Sequence, residues 1–421
     1  MNHRVEILPD VYLTAVQTDK FKTGCFSINF LRPMRRSEAA ANTLIPSVLL
    51  RGSEKYPSIR AISAALDELY GASVGTLVRK KGEVQLTGFF ADYVEDDLTG
   101  EPMMQKTCEF VAEILLHPLK ENGTFIKSFV DGEKLNLQNA MLSRINDKRS
   151  YAVSQLLRTM CADEPYGIPR AGDVEDLETI DKKTLYDHYQ DVLSGSQVEL
   201  FYMGRKSPKE AADILKNIFA PLPRSGRIVS TGTQVIRQAG NARERTEEMD
   251  VTQGKLAIGL RTGCTVCDAE YPALLMMNVI FGSGVTSKLF LKVREEMGLC
   301  YYASSSIEKF KGVMIISSGI ESDQFQTAHD EILRQLDACR RGEISDYEFS
   351  SAKRYLLSDL KAAMDSPGRL DDFYMGQVIA GLDGTMAGLA AQIENVTPEQ
   401  VAEAARRVSL DTVYFLKGAG K

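Results

Sequence analysis

The side chains able to do chemistry in this chain are scattered. Its four histidines, His3, His117, His188 and His329, have no spacing that would place two imidazoles on one helix face as metal ligands, so surface or capping roles are expected. Cys264 and Cys267 form a single C-x-x-C in "TGCTVCDAE". With no second pair and no βαβ context around them, they read as plain thiols in a strand-to-helix loop. "GSGVTSK", residues 282–288, mimics a phosphate loop, but Ser287 stands where glycine should precede the lysine and Leu289 where Ser or Thr should follow. There is no nucleophile elbow and no His-based triad context. The carboxylate runs "DYVEDDL" and "DVEDLE" read as solvated faces near helix starts. The most specific stretch is "FGSGVTSKLFLKVREEMGLCYY", residues 281–302.

The elements that position this stretch come in two rounds. "VEILPDVYLTAVQT" and "TGCFSINFLRP" alternate as strands, with Cys25, Ser27 and Asn29 opposite Phe26, Ile28 and Phe30. A helix is expected over 41–50, and another over "SIRAISAALDELYG" from an N-cap at Ser58 to Gly71. A hairpin turning at Lys81-Gly82 follows, then mostly helix over 99–160, then the strand "QVELFYMG". "PLPRSGRIVSTGTQVIRQAGNARER" is rich in Pro, Gly, Ser and Arg without helical period, which marks a linker. The order then restarts with a strand, two helices and a hairpin turning at Lys311-Gly312. The repeat implies a duplicated domain: 1–220, a linker at 221–243, and 244–421. Strand runs followed by helix runs give an α+β class, two tandem homologous domains, each a mostly antiparallel sheet with helices packed on one face.

Composition sets bounds. The 421 residues exceed one ordinary core, and 44% hydrophobic with 25% charged residues is that of a soluble globular chain. The net charge of −7 is spread without a basic stripe, so neither nucleic acid nor an anionic membrane is an expected partner. The N-terminal stretch has no apolar signal core, and "YPALLMMNVIFG" is too short to span a bilayer. Seven dispersed cysteines suggest reduced thiols, and a cytoplasmic location is expected.

Within 281–302, "SKLF" and "VREEMGLCY" resemble the C-terminal domain of the insulinase/pitrilysin family of zinc peptidases, in its mitochondrial-processing-peptidase-like branch. "DLETIDKKTLYDHYQDVL" and "IENVTPEQVAEAARR" are similar to the end segments of that family's two halves. The resemblance implies a LuxS/processing-peptidase-like fold. Active members carry H-x-x-E-H, two imidazoles that hold Zn²⁺ and a Glu that activates its water. Aligned on Gly52, "ANTLIPSVLLRGS" puts Thr43 and Ser47 at the histidine positions and Pro46 at the glutamate. The later third ligand falls on Ala140 in "EKLNLQNAM". Hydroxyls are poor zinc ligands and proline has no base, so no metal and no cofactor are expected in this chain.

The resemblance also implies that an Arg and a Tyr of the C-terminal half hold substrate; by motif match these are Arg294 and Tyr301. Arg294 comes late in a helix, Gly298 breaks it and Tyr301 opens the next strand. A guanidinium offers a planar fork to a backbone carbonyl, and a phenol can donate to an oxyanion. The implied function is a subunit inactive alone, paired as a heterodimer with a zinc-bearing H-x-x-E-H sister across a clamshell-like cavity. Its substrate would be an extended peptide, added to a sheet edge as an extra strand. The alternative is a catalytically inactive peptide-binding or structural assembly protein on the same scaffold.

Overall fold

A computed structural model describes residues 3–418, apart from the His3 side chain, so the role expected for that imidazole falls outside the described residues. The first sheet has six strands in the spatial order His3–Leu8, Val11–Gln17, Gln197–Gly204, Thr23–Pro33, Val84–Val94, Ser73–Lys81. The second has five, Cys300–Glu308, Val313–Ile320, Gly254–Arg261, Ser409–Gly418, Arg243–Met249. Each is antiparallel except for one parallel pair, Val11–Gln17 with Gln197–Gly204 and Ser409–Gly418 with Arg243–Met249. Both Lys-Gly hairpins form as expected, with Gly82 and Gly312 in the left-handed region at φ 56° and 68°. Ser58 caps its helix by accepting from the Ala61 amide. No helix among the described residues is long and apolar enough to cross a membrane.

The chain forms two compact units, and they interleave along the sequence. The first runs up to Leu142 and adds Ile168–Gly232 and Pro367–Ile379. The second contains Ser143–Gly167, Thr233–Ser366 and the chain from Ala380 on. A single cut at 221–243 is therefore crossed twice, because each half lends a helical segment to the other's sheet.

The reason lies in the strands. In Thr23–Pro33 every residue from Gly24 to Arg32 is buried, so both faces need a cover. Phe26, Ile28 and Phe30 join the main core with Ile45, Val111, Leu185 and Leu215 from the unit's helices. The other face shows Cys25, Ser27 and Asn29, too small and polar to pack alone. Helix Pro367–Ala380 lies on it: the fully buried Asp371 accepts from Ser27 Oγ at 2.7 Å and from Arg79 Nη1 at 2.5 Å. Lys81 adds an ion pair to Asp372 at 2.7 Å, and Tyr374 stacks on Phe201.

The second sheet is covered in the same way. Leu256, Ile258 and Leu260 face the main core, while Ala257 packs with Ala152 and Leu156 of helix Lys148–Met160. Gly259 leaves room for this helix: a Cβ there would stand 2.6 Å from Met160 Sδ, and the methionine side chain would have to shift. Burying Leu156 alone stabilises by about 1.5–3 kcal/mol. The segment is latched by charge. Glu164 Oε1 lies 2.5 Å from Arg261 Nη2 and its Oε2 lies 2.6 Å from Lys311 Nζ, while Asp411 takes Arg261 Nε at 2.8 Å. The turn lysines Lys81 and Lys311 thus perform the same task in the two units.

Burial pushes the Glu164 carboxyl up, but hydrogen bonds from Arg261 and Lys311 outweigh it and hold the group below the usual glutamate value. A carboxyl depressed in the folded state stabilises above its unfolded value of about 4.3 and loses that contribution as pH falls through the folded one. Glu164→Gln should therefore cost about 3–5 kcal/mol at pH 7, because Lys311 and Arg261 stay buried without their shared carboxylate. Urea unfolding should show the variant and the wild type converging below pH ~4.

Candidate functional site

Helix Arg36–Leu49 carries Thr43, Pro46 and Ser47, the three positions that the resemblance aligns with the zinc motif. Pro46 sits inside it and is buried. Its ring nitrogen cannot donate, which deprives the Asn42 carbonyl of its helical partner. Thr87 Oγ1 supplies the missing donor at 2.6 Å. Around Pro46 lie Phe30, Leu49, Phe89, Leu115 and Tyr189, enclosing a void of about 10 Å³. The position that the resemblance aligns with the catalytic glutamate thus lies in apolar core. The half-buried Thr43 turns its hydroxyl back onto the Ala39 carbonyl at 2.9 Å. Ser47 is half-buried, and Ala140 is exposed on helix Lys127–Ser143.

A polar network that the sequence did not disclose runs beneath Thr43. Gln85 donates to the carbonyls of Ala39 and Arg170 at 3.0 and 2.7 Å, and accepts from Asn42 Nδ2 at 2.9 Å. His188 Nε2 meets Asn42 Oδ1 at 2.8 Å. The amide oxygen can only accept, so Nε2 carries the proton. Burial, and then the Arg32 charge, push the His188 imidazole below its ordinary value. This corrects the expectation of a surface or capping histidine: His188 is a half-buried strut. His117, by contrast, is exposed at the end of helix Met103–Leu116.

Zinc takes thiolate, imidazole or carboxylate. The side chains at these four positions are a hydroxyl committed to a carbonyl, a proline ring, a second hydroxyl and a methyl group, and this set does not fit the ion. Among the described residues no three His, Cys, Asp or Glu side chains converge where they could hold a metal.

Arg294 and Tyr301 have different surroundings. Leu289–Glu296 is wound as a π-helix, a form concentrated at functional sites. It ends with Gly298 in the left-handed region at φ 63°, the Gly298 amide bonding the Arg294 carbonyl and the Leu299 amide that of Val293. The Arg294 guanidinium lies 4.7 Å above the Phe290 ring centre and is 41% exposed. In the next strand Cys300 pairs with Ile320 but Tyr302 with Gly319, which leaves Tyr301 as an extra residue in a β-bulge. The bulge lets both Cys300 and Ala303 face the core and puts Tyr301 into solvent, 67% exposed. The described contacts do not join Arg294 to Tyr301.

A third residue went unread in the sequence. Arg149, at the start of the borrowed helix, donates to Ser304 Oγ at 2.9 Å and lies 4.3 Å from the Tyr302 ring centre. Tyr302 is half-buried under this cation, with an apolar ring beneath a charged group. Nothing in local spacing links residues so far apart. The two cysteines of the C-x-x-C differ: Cys264 is buried, its thiol pushed up to about 12, whereas Cys267 is exposed.

The Pro46–Thr87 substitution pair can be measured. Thr87→Val should cost about 1–3 kcal/mol, since it strands the buried Asn42 carbonyl. In a Pro46→Ala background the restored amide should take that carbonyl, and the cost should fall below about 1 kcal/mol. Equal costs in both backgrounds, read from denaturant melts, would show that the hydroxyl does not replace the missing amide.

Residues 179–356 match the family model described as the Peptidase M16 inactive domain. The chain is similar to the probable inactive metalloprotease YmfF of Bacillus subtilis, 33% identical over 409 residues that span 96% of this chain and 95% of that one. Among solved structures it is similar to a conserved protein from Enterococcus faecalis, with 30% identity, a TM-score of 0.92 and coverage of 100% and 99%. The peptidase M16 inactive domain from Pseudomonas fluorescens shares the fold at 15% identity, TM-score 0.81, covering 100% of this chain and 98% of that chain. This chain belongs to the insulinase-like M16 peptidase family as an inactive, zinc-motif-lacking member.

Proposed function

We propose that the chain is the non-zinc-binding subunit of a heterodimeric zinc metallopeptidase that cleaves peptides, acting with a homologous H-x-x-E-H sister. One asymmetry carries this reading. Positions 43 and 46 now serve the fold of the first unit, through the Thr43 back-bond and the Pro46 core contacts. Arg294 and Tyr301 are instead presented to solvent by a glycine-closed helix end and a bulge. A tyrosine 67% exposed in a strand contributes little to packing, so its placement asks for another purpose.

The sister's zinc supplies the activated water. The residues of this chain bind and orient. The Arg294 fork takes a backbone carbonyl of the extended peptide near the scissile bond. The Tyr301 hydroxyl donates to the oxygen that gains charge as the carbonyl becomes tetrahedral, an interaction stronger in the transition state than in the ground state.

Purified alone, the chain should cleave no peptide; mixed with its sister, it should activate cleavage. Tyr301→Phe should lower kcat of the reconstituted pair by about 10²-fold, and Arg294→Ala should act mainly on KM. Full activity from the sister alone would overturn the reading. If the chain is required but both substitutions are silent, it is an assembly protein on the same scaffold.

A further inference from the structure

We infer that the first unit binds a linear aliphatic diamine or polyamine in a recess between helix Met103–Leu116 and helix Pro208–Phe219. The recess has a volume of about 350 Å³ and opens to solvent. It uses neither Arg294 nor Tyr301, so it stands or falls apart from the subunit reading. One wall is polar. Gln105, Glu109 and Glu113 project from one face of the first helix, four residues apart, and His117 continues the row at its C-cap. With a rise of about 1.5 Å per residue, each step along the row is about 6 Å. The rest is apolar: Ala112 and Leu116 of the same helix, and Ile214 and Ile218 of the second.

The row carries unbalanced negative charge. Glu109 and Glu113 are about one turn apart on a single helix face, where like charges repel. Glu113 also stands in the last turn, which presents the negative end of the helix and holds no basic residue. Among the described residues no Lys or Arg lines the recess. Lys55 stands near enough to feel both carboxylates, but its ammonium lies over the Tyr56 ring, 5.2 Å from the centre. The described contacts use one oxygen of each carboxylate. Glu109 Oε1 accepts from Gln105 Nε2 at 2.8 Å, and Glu113 Oε1 accepts from the Lys55 amide at 2.9 Å. The second oxygens can accept from an incoming cation.

The layout selects the class of cation. Acceptors strung along a row do not converge on a point, which a metal ion requires. The walls are helices whose backbone groups are spent on their own ladders, so a polypeptide main chain finds no partners there. An aliphatic chain with a nitrogen at each end of four carbons fits both walls. Its two ammonium groups meet Glu109 and Glu113, set apart by the same step of about 6 Å. Its methylenes lie on Leu116, Ile214 and Ile218, which are all half-buried. Bound this way, the ligand cancels the repulsion between the carboxylates. A longer polyamine extends a further nitrogen to the exposed His117 imidazole, which accepts when neutral.

The test is calorimetric titration of the full chain with putrescine and with spermidine at physiological ionic strength. Both should saturate a single site, spermidine more tightly. Butylamine, with one charge, and ethylenediamine, with nitrogens too close to span the row, should each bind about tenfold more weakly than putrescine. Glu109→Gln combined with Glu113→Gln should also weaken putrescine about tenfold. Glutamine keeps an acceptor for the Lys55 amide, so the urea midpoint should stay in place. Asn217→Lys, an ammonium at an exposed position of the recess, should block binding and leave the fold intact. Heats that never saturate, or equal affinity for ethylenediamine and putrescine, would overturn the inference, since screening of a chain with net charge −7 gives the same result. Binding unchanged in both variants would overturn it too. So would the absence of diamine binding beside saturable binding of an arginine-containing peptide at these glutamates, which assigns the recess to a polypeptide.

Discussion

Every feature of this molecule depends on a sheet having two faces. A central strand such as Thr23–Pro33, buried from Gly24 to Arg32, can exist only if something covers the side opposite the main core. In both units that cover is a helix borrowed from the other half of the chain and held by buried ions. Ionic groups are an expensive way to hold a helix, since each must leave water. They are specific, however: Glu164 finds Arg261 and Lys311 only in one register, and Asp371 finds Ser27 and Arg79 only in one register.

The two latches differ in sign. Partners outweigh burial at Glu164, whereas at Asp371 burial outweighs Arg79 and Ser27 and leaves the carboxyl above its ordinary value. Ionised Glu164 therefore adds stability as pH rises, while ionising Asp371 subtracts some. The duplicated plan has kept the position of the lysine at each hairpin turn and let the balance of charge and burial diverge.

Helix Arg36–Leu49, which the resemblance aligns with the family's zinc-binding helix, has a structural role in this chain. A hydroxyl at position 43 or 47 is a matter of side-chain chemistry, but proline at position 46 also interrupts the backbone ladder. Thr87 closes the gap from a neighbouring strand, and Asn42, Gln85 and His188 fill the space with neutral hydrogen bonds. A neutral network at that depth has no desolvated charge to compensate, and it ties the helix to Arg170 at the sheet edge. Around Arg294 and Tyr301 in the second unit the backbone itself, through a π turn, a left-handed glycine and a bulge, sets where the side chains stand.

Local signals were readable because their physics is local. Ser58 as a cap, Lys81-Gly82 and Lys311-Gly312 as turns, and the absence of His and Glu at 43, 46 and 47 follow from residue type and position. So does the duplication, since element order survives where identity fades. The alternation of Cys25, Ser27 and Asn29 with Phe26, Ile28 and Phe30 even announced two unlike faces. What covers the polar face was beyond the sequence, because Ser27 and Asp371 are 344 positions apart and Arg261 and Glu164 are 97. His188 looked like a surface residue for the same reason: its partner Asn42 is 146 positions away. The sequence by itself determined which elements form and which chemistry is missing, through contacts a few residues long. Only the tertiary structure decided which half supplies each sheet's second cover, because that outcome depends on distant groups meeting, and no periodicity encodes it.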